Sequence, residues 1–241
     1  MEISKLAKQN IEELAKNPYP GRGIIMGLSP DGQNYLQVYW IMGRSLNSRN
    51  RVFIHENGFI RTKAYDESKL TDPSLIIYYP VKFTKNAHIV TNGDQTDTIY
   101  QAIQSGGTFE EALNSREFEP DAPNFTPRIS GVIDLSNSKH PCKLSILKSA
   151  DHDLKYCIRN YFNYGAAIPG IGHCLHTYCG DGQPLPSFEG EPYPVILFNE
   201  IEQTLQYYWD ILNPENRVSL LVKMINVQTH EVQVRIINRN Q

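Results

Sequence analysis

No apolar run in this 241-residue chain approaches the roughly 20 residues that a membrane-spanning helix needs. The opening stretch MEISKLAKQNIEELAKNPYP is charged and amphipathic and has no apolar h-region, so a secretory signal is not expected there and a cytoplasmic protein is. Cysteine is scarce. The four are Cys142, Cys157, Cys174 and Cys179, and free thiols are the expectation for a large chain without a secretory signal. An excess of positive charge is also missing: 23 Lys and Arg face 26 Asp and Glu, for a net charge of -3. That supplies no general field for nucleic acid, and any anion site must be a local basic pocket. There is no Gly-x-x-x-x-Gly-Lys phosphate loop, no Gly-x-Ser-x-Gly elbow, no repeat and no Gly/Ser/Pro-rich linker, and a single domain spanning residues 1–241 is expected. His173-Cys174-Leu175-His176-Thr177-Tyr178-Cys179 contains zinc-type ligands but lacks the paired spacing of a zinc motif, and no metal is expected.

What is present has two periods. Ile3, Leu6, Ala7, Ile11 and Leu14 recur at helical spacing before Asn17-Pro18, which predicts a leading helix within residues 1–18. Strands are predicted at Gly23 to Leu28, Tyr35 to Met42, Arg51 to His55, Phe59 to Tyr65, Ser74 to Tyr79 and Ala87 to Thr91, with hairpin turns at Ser29-Pro30-Asp31-Gly32 and Glu56-Asn57-Gly58. Two short helices are predicted within Thr96 to Asn114, the second capped by Thr108. Strands follow at Arg128 to Asp134, Cys142 to Lys148 and Lys155 to Tyr161. Then come a Gly/Pro-rich loop or insertion over residues 165–194, a helix from Asn199 to Leu212, and a final hairpin of Arg217 to Val227 with Glu231 to Asn238. Runs of strands flanked by separate helices indicate an α+β class.

Three stretches carry candidate chemistry. Met42 to Phe53, MGRSLNSRNRVF, brings Arg44, Arg49 and Arg51 together after a strand end, where guanidinium forks could take a phosphate. Strand alternation sends Arg51 away from the other two. Asn92-Gly93-Asp94-Gln95-Thr96-Asp97-Thr98 lies where a strand gives way to a helix. Its acids disfavour phosphate and suit neutral donors such as ribose hydroxyls or a carboxamide, although helix capping needs only one of them. Phe118 to Arg128 is a Pro-stiffened loop holding Glu119, Asp121, Thr126 and Arg128, and its plain alternative is a stiff connector with solvated charges.

YPGRG at Tyr19 to Gly23, GRSLNSRNR at Gly43 to Arg51, NGDQTDTI at Asn92 to Ile99 and TPRI at Thr126 to Ile129 together resemble the stand-alone, archaeal-type IMP cyclohydrolase family, over roughly Tyr19 to Asp134. The resemblance implies a four-layer αββα sandwich similar to N-terminal-nucleophile hydrolases, without a terminal nucleophile; the opening Met1-Glu2 agrees with that. It implies ring closure of 5-formamidoimidazole-4-carboxamide ribonucleotide to inosine monophosphate, without cofactor or metal. The partner implied is a small purine nucleotide, not nucleic acid or membrane, and a homo-oligomer stays open. By the same resemblance Arg49, Tyr79 and Glu119 are catalytic and Arg44 is a motif arginine; Arg44, Asn92, Gly93, Asp94, Asp97, Asp121, Thr126 and Arg128 are the candidate substrate-binding residues. Two alternatives remain: a non-catalytic purine-nucleotide-binding module, and an amidohydrolase of the same fold.

Overall fold

A computed structural model describes residues 2–150 and 153–240. Met1, half of the Met1-Glu2 pair considered above, lies outside the described residues. Helix α1 (Ile3–Lys16) buries Ala7, Ile11 and Leu14 along one side, as its spacing predicts. Strands β1 (Gly23–Leu28) and β2 (Asn34–Met42) pair around Ser29-Pro30-Asp31-Gly32, where the Ser29 hydroxyl donates to Asp31 and Gly32 has φ +71°. A four-residue helix, α2 (Leu46–Arg49), precedes the hairpin of β3 (Arg51–Glu56) and β4 (Phe59–Ala64). Its turn residues Asn57 and Gly58 both have positive φ, the conformation a two-residue hairpin loop of this kind demands.

The chain continues through β5 (Val81–Phe83), β6 (Ala87–Thr91), α3 (Gln95–Gln104), α4 (Phe109–Asn114), β7 (Arg128–Asp134), β8 (Cys142–Ala150) and β9 (Asp153–Tyr164). Thr108 caps α4, exchanging hydrogen bonds with Glu111 in a capping box. The remaining elements are β10 (Ile171–His176), β11 (Tyr193–Ile196), α5 (Ile201–Ile211), β12 (Arg217–Asn226) and β13 (Val232–Asn238).

These strands form two antiparallel sheets, in an α+β protein. One is a meander, β3-β4-β5-β6-β7-β8-β9, in chain order. The other, β11-β10-β1-β2-β12-β13, interleaves strands from both ends of the chain. Three apolar clusters show how they are covered. Ile24, Met26, Tyr39 and Ile41 of the interleaved sheet meet Phe53, Val90, Ile129 and Leu144 of the meander. On the opposite face of the interleaved sheet, Trp40, Val38 and Leu220 meet Ile11 and Leu14 of α1 and Leu205, Tyr208 and Trp209 of α5. On the opposite face of the meander, Ile89, Val132 and Leu147 meet Ile99 of α3 and Phe109 and Leu113 of α4. Among the described residues no helix is long and apolar enough to cross a membrane.

Two expectations need correction. Ser74 to Tyr79 is a series of turns, because Thr62 reaches across to it: its hydroxyl donates to the Ile76 carbonyl and accepts from the Tyr78 N–H, which folds the segment over β4 instead of extending it. Residues 165–194 are not merely a loop, since they supply β10, an interior strand between β1 and β11. Its glycine, a turn signal in the sequence, serves close packing there: Gly172 lies opposite Gly27, and the two backbones approach where a side chain would obstruct them.

A Cβ on Gly27 would sit 2.2 Å from the Ile171 carbonyl oxygen and 2.6 Å from Gly172 Cα, so only backbone movement could admit it. Gly27→Ala is therefore expected to destabilise the protein by about 1–3 kcal/mol or more, read as a lower urea midpoint.

Candidate functional site

Just before β1, the Arg22 N–H donates to Thr177 Oγ1 at 3.1 Å and its carbonyl accepts from the Thr177 N–H at 2.9 Å, which fastens the Tyr19–Gly23 stretch to the end of β10. The side chain runs inward, and Nη2 donates to Glu119 Oε2 at 3.1 Å. Glu119 sits in the connection between α4 and β7, 1 % exposed. That connection is self-braced: the Glu119 N–H donates to the Thr126 carbonyl, while the Asp121 carboxylate accepts from the Thr126 N–H and hydroxyl.

Arg51 opens β3 on the buried side with Phe53 and is also 1 % exposed. It points away from Arg44 and Arg49, as expected, and its direction is inward, toward Arg22 and Glu119. Its Nε donates to the Ser48 carbonyl, while Nη1, Arg22 Nε and Glu119 Oε1 are buried without hydrogen-bond partners. Beside them the hydroxyls of Tyr39 and Tyr78 share a 2.7 Å hydrogen bond, and Tyr178 joins its hydroxyl to Thr126 Oγ1 and stacks on Tyr19.

Burial pushes the Glu119 carboxyl upward; Arg22, Arg128 and Arg51 oppose it and Asp121 adds to it, and the outcome is about 7. Burial likewise works against the Arg22 cation, yet Glu119 and neighbouring phenols outweigh it and hold Arg22 charged. Arg51 is lowered from the ordinary arginine value, by burial first and then by Arg22. A half-ionised carboxyl with one unengaged oxygen, set among cations and phenols, can exchange a proton near neutral pH.

The other candidate residues divide. Arg128 Nη1 donates to Asp94 and Gln95, both at 2.7 Å, and Arg116 also pairs with Asp94. Burial alone would raise the Asp94 carboxyl, but those two arginines hold it below the usual range. Gly93 lies against both Arg128 and Glu119: a Cβ there would be 2.5 Å from Arg128 Nη1 and 3.4 Å from Glu119 Oε1. Asn92 ties β6 to β7 through the Pro127 carbonyl and the Ile129 N–H. Thus Asn92, Gly93, Asp94, Glu119, Asp121, Thr126 and Arg128 form one neighbourhood.

Elsewhere, Asp97 pairs with Lys82 at 2.6 Å. Arg49 donates to the Gly43 carbonyl and Asn216, and Arg44 lies over the Tyr19 ring with bonds to Asp181 and the Gly182 carbonyl. Tyr79 pairs with Glu56 beneath Lys82 and Arg61, while its neighbour Tyr78 turns inward. His173 stacks on Tyr164, and His176 Nδ1 donates to the Tyr178 carbonyl at 2.9 Å. Residues that sequence reasoning left without a role are Arg22, Tyr39, Arg51, Tyr78 and Tyr178. Two of them lay in motifs, Arg22 between two glycines in YPGRG and Arg51 at the end of GRSLNSRNR.

The sequence model of the family described as IMP cyclohydrolase-like protein matches residues 19–230. The chain belongs to this family. Among curated relatives, it is 33% identical over 120 residues to an IMP cyclohydrolase of Methanopyrus kandleri (48% of this chain, 59% of the relative). It is 29% identical over 119 residues to one of Methanococcus aeolicus (48% and 58%) and 31% identical over 119 residues to one of Methanosphaera stadtmanae (48% and 57%). The alignments thus span under two thirds of those relatives' length. Arg22, Arg51, Tyr78, Glu119 and Arg128 all fall within the matched span, whereas α1 precedes it.

The raised Glu119 carboxyl has a thermodynamic consequence. A carboxyl whose pKa is higher folded than unfolded contributes stability that is fully present below pH 4.5 and is lost as pH rises through about 7. Relative to Glu119→Gln, the native protein should lose on the order of 3 kcal/mol between pH 4 and pH 8, by urea denaturation at each pH. A pH-independent difference would mean that the carboxyl ionises as it does in the unfolded chain.

Proposed function

We propose that this chain closes the ring of 5-formamidoimidazole-4-carboxamide ribonucleotide to inosine monophosphate with loss of water. We further propose that it acts as one cytoplasmic unit, whose helix–sheet–sheet–helix order is that of a four-layer sandwich like the N-terminal-nucleophile hydrolases. The observation that carries the reaction is the buried Glu119 carboxyl, near neutral in pKa, with Oε1 unengaged beside Arg22 and Arg51. Family membership and the names of the archaeal relatives support it.

The reaction is intramolecular. Holding the carboxamide nitrogen against the formyl carbon supplies much of the acceleration, effective molarities reaching about 10⁵–10⁸ M. As the C–N bond forms, Glu119 takes a proton from the carboxamide nitrogen, and the formyl oxygen gains negative charge. Arg51 Nη1 and the Tyr78 hydroxyl are the donors for that oxygen. Glu119 passes that proton to the oxygen, which becomes a hydroxyl, and then takes the hydrogen of the former formamide nitrogen and delivers it to the hydroxyl as it departs. The water lost therefore takes one hydrogen from each nitrogen, and Glu119 ends as it began.

Turnover of the formylated ribonucleotide tests the assignment. Glu119→Gln should lower the turnover rate about 10²–10⁴-fold with little change in affinity for inosine monophosphate, and the native rate should climb with pH through about 7 as the carboxylate forms. Tight nucleotide binding without any turnover would instead identify a binding module.

A comparison of neighbouring phenols separates geometry from motif alignment. Tyr78→Phe should cost on the order of 10²–10³-fold in turnover, while Tyr79→Phe, at the Glu56 pair, should cost little. The reverse result would return the role to Tyr79.

A further inference from the structure

We propose that Arg116, Arg128 and Arg159 form the subsite for the phosphate of the nucleotide, an assignment that rests on the nucleotide substrate proposed above. The three side chains line a cavity of ≈ 340 Å³ together with Ser115, Glu117 and Phe118, next to Glu119. Arg128 is 8 % exposed, and its described hydrogen bonds all use Nη1. The described ion pair of Arg116 uses Nη2 alone. Arg159 braces the wall: its Nη2 donates to the Arg116 carbonyl at 2.9 Å, and its buried Nε has no partner.

The charge count also favours an anion. Three guanidinium groups face Asp94, shared by Arg116 and Arg128, and Glu117, 3.7 Å from Arg159. One positive charge is left over, and a phosphate monoester brings roughly -1.5 to -2 with oxygens that match guanidinium forks. Position agrees with chemistry. Gly93 touches Arg128 on one side and Glu119 on the other, so the cavity lies one arginine away from the proposed proton acceptor. A nucleotide has its phosphate and its reacting base at opposite ends, and this layout separates the two in the same way.

The test is calorimetric titration of the full chain with inosine monophosphate, inosine and inorganic phosphate, using Arg159→Gln, Arg159→Lys and Arg116→Gln. Arg235→Gln, on β13 and paired with Glu202, is the control for lost charge. Both Gln variants should weaken the monophosphate about tenfold or more, leave inosine within about twofold, and reduce binding of inorganic phosphate, with Arg159→Lys intermediate and the control unchanged. Unfolding curves check that each variant is folded. Equal losses for nucleotide and nucleoside, or no loss for either, would overturn the subsite. Arg159-dependent phosphate binding in a protein that ignores the monophosphate would overturn it as well. If the monophosphate result holds while the formylated ribonucleotide is never turned over, the subsite stands and the ring-closure reading falls.

Discussion

A carboxyl group enclosed with guanidinium groups at the seam of two sheets sets the terms for the structure around it. Glu119 and Arg22 are 3.1 Å apart. At an effective dielectric near 20 their attraction is roughly 5 kcal/mol, while the penalty for taking each ion out of water is several kcal/mol. Terms of such similar size leave the carboxyl balanced between its two protonation states. Small changes in the surroundings decide which state prevails, so the neighbours must be held in place.

The sheets provide that restraint. Arg22 enters from the start of β1, Tyr39 from β2, Arg51 from the start of β3, Arg128 from the start of β7 and Tyr178 from just beyond β10. Elements of both sheets thus converge on the loop carrying Glu119. The apolar cluster between the sheets, with Ile24, Phe53 and Ile129 close in sequence to Arg22, Arg51 and Arg128, excludes water from the seam. The Asp121–Thr126–Tyr178 chain of hydrogen bonds then ties the Glu119 loop to the segment after β10. Stability and chemistry share these contacts, because the same packing that desolvates Glu119 also orients it.

A second buried charge shows what the seam does without such partners. Lys223 on β12 is fully buried, and its ammonium group has only the Phe83 ring, 4.2 Å from its centroid, as a described partner. Burial drives it well below the ordinary lysine value. The contrast explains why Arg22 keeps its charge: a carboxylate within hydrogen-bond distance compensates for the lost water, and an aromatic face compensates less.

Local order was legible in the residues themselves. The apolar spacing of Ile3 to Leu14, the Asn57-Gly58 turn and the Thr108 cap act within a few residues, and each is found where its pattern places it. Motif residues Glu119, Thr126, Arg128 and Gly93 were also recognisable, and the fold gathers them. What the chain alone did not reveal depends on contacts between distant segments. Thr62 folds Ser74 to Tyr79 into turns, and Tyr78 turns inward; Gly27 makes room for Gly172 in an interior strand where a loop was expected; and the packing of β3 at the seam turns Arg51 inward. The sequence by itself determined most of the element types, the α+β class and a set of polar motif residues that the fold gathers. Tertiary structure alone decided which arginine and which tyrosine accompany Glu119, because their side-chain directions and their separation from water are properties of packing across two sheets.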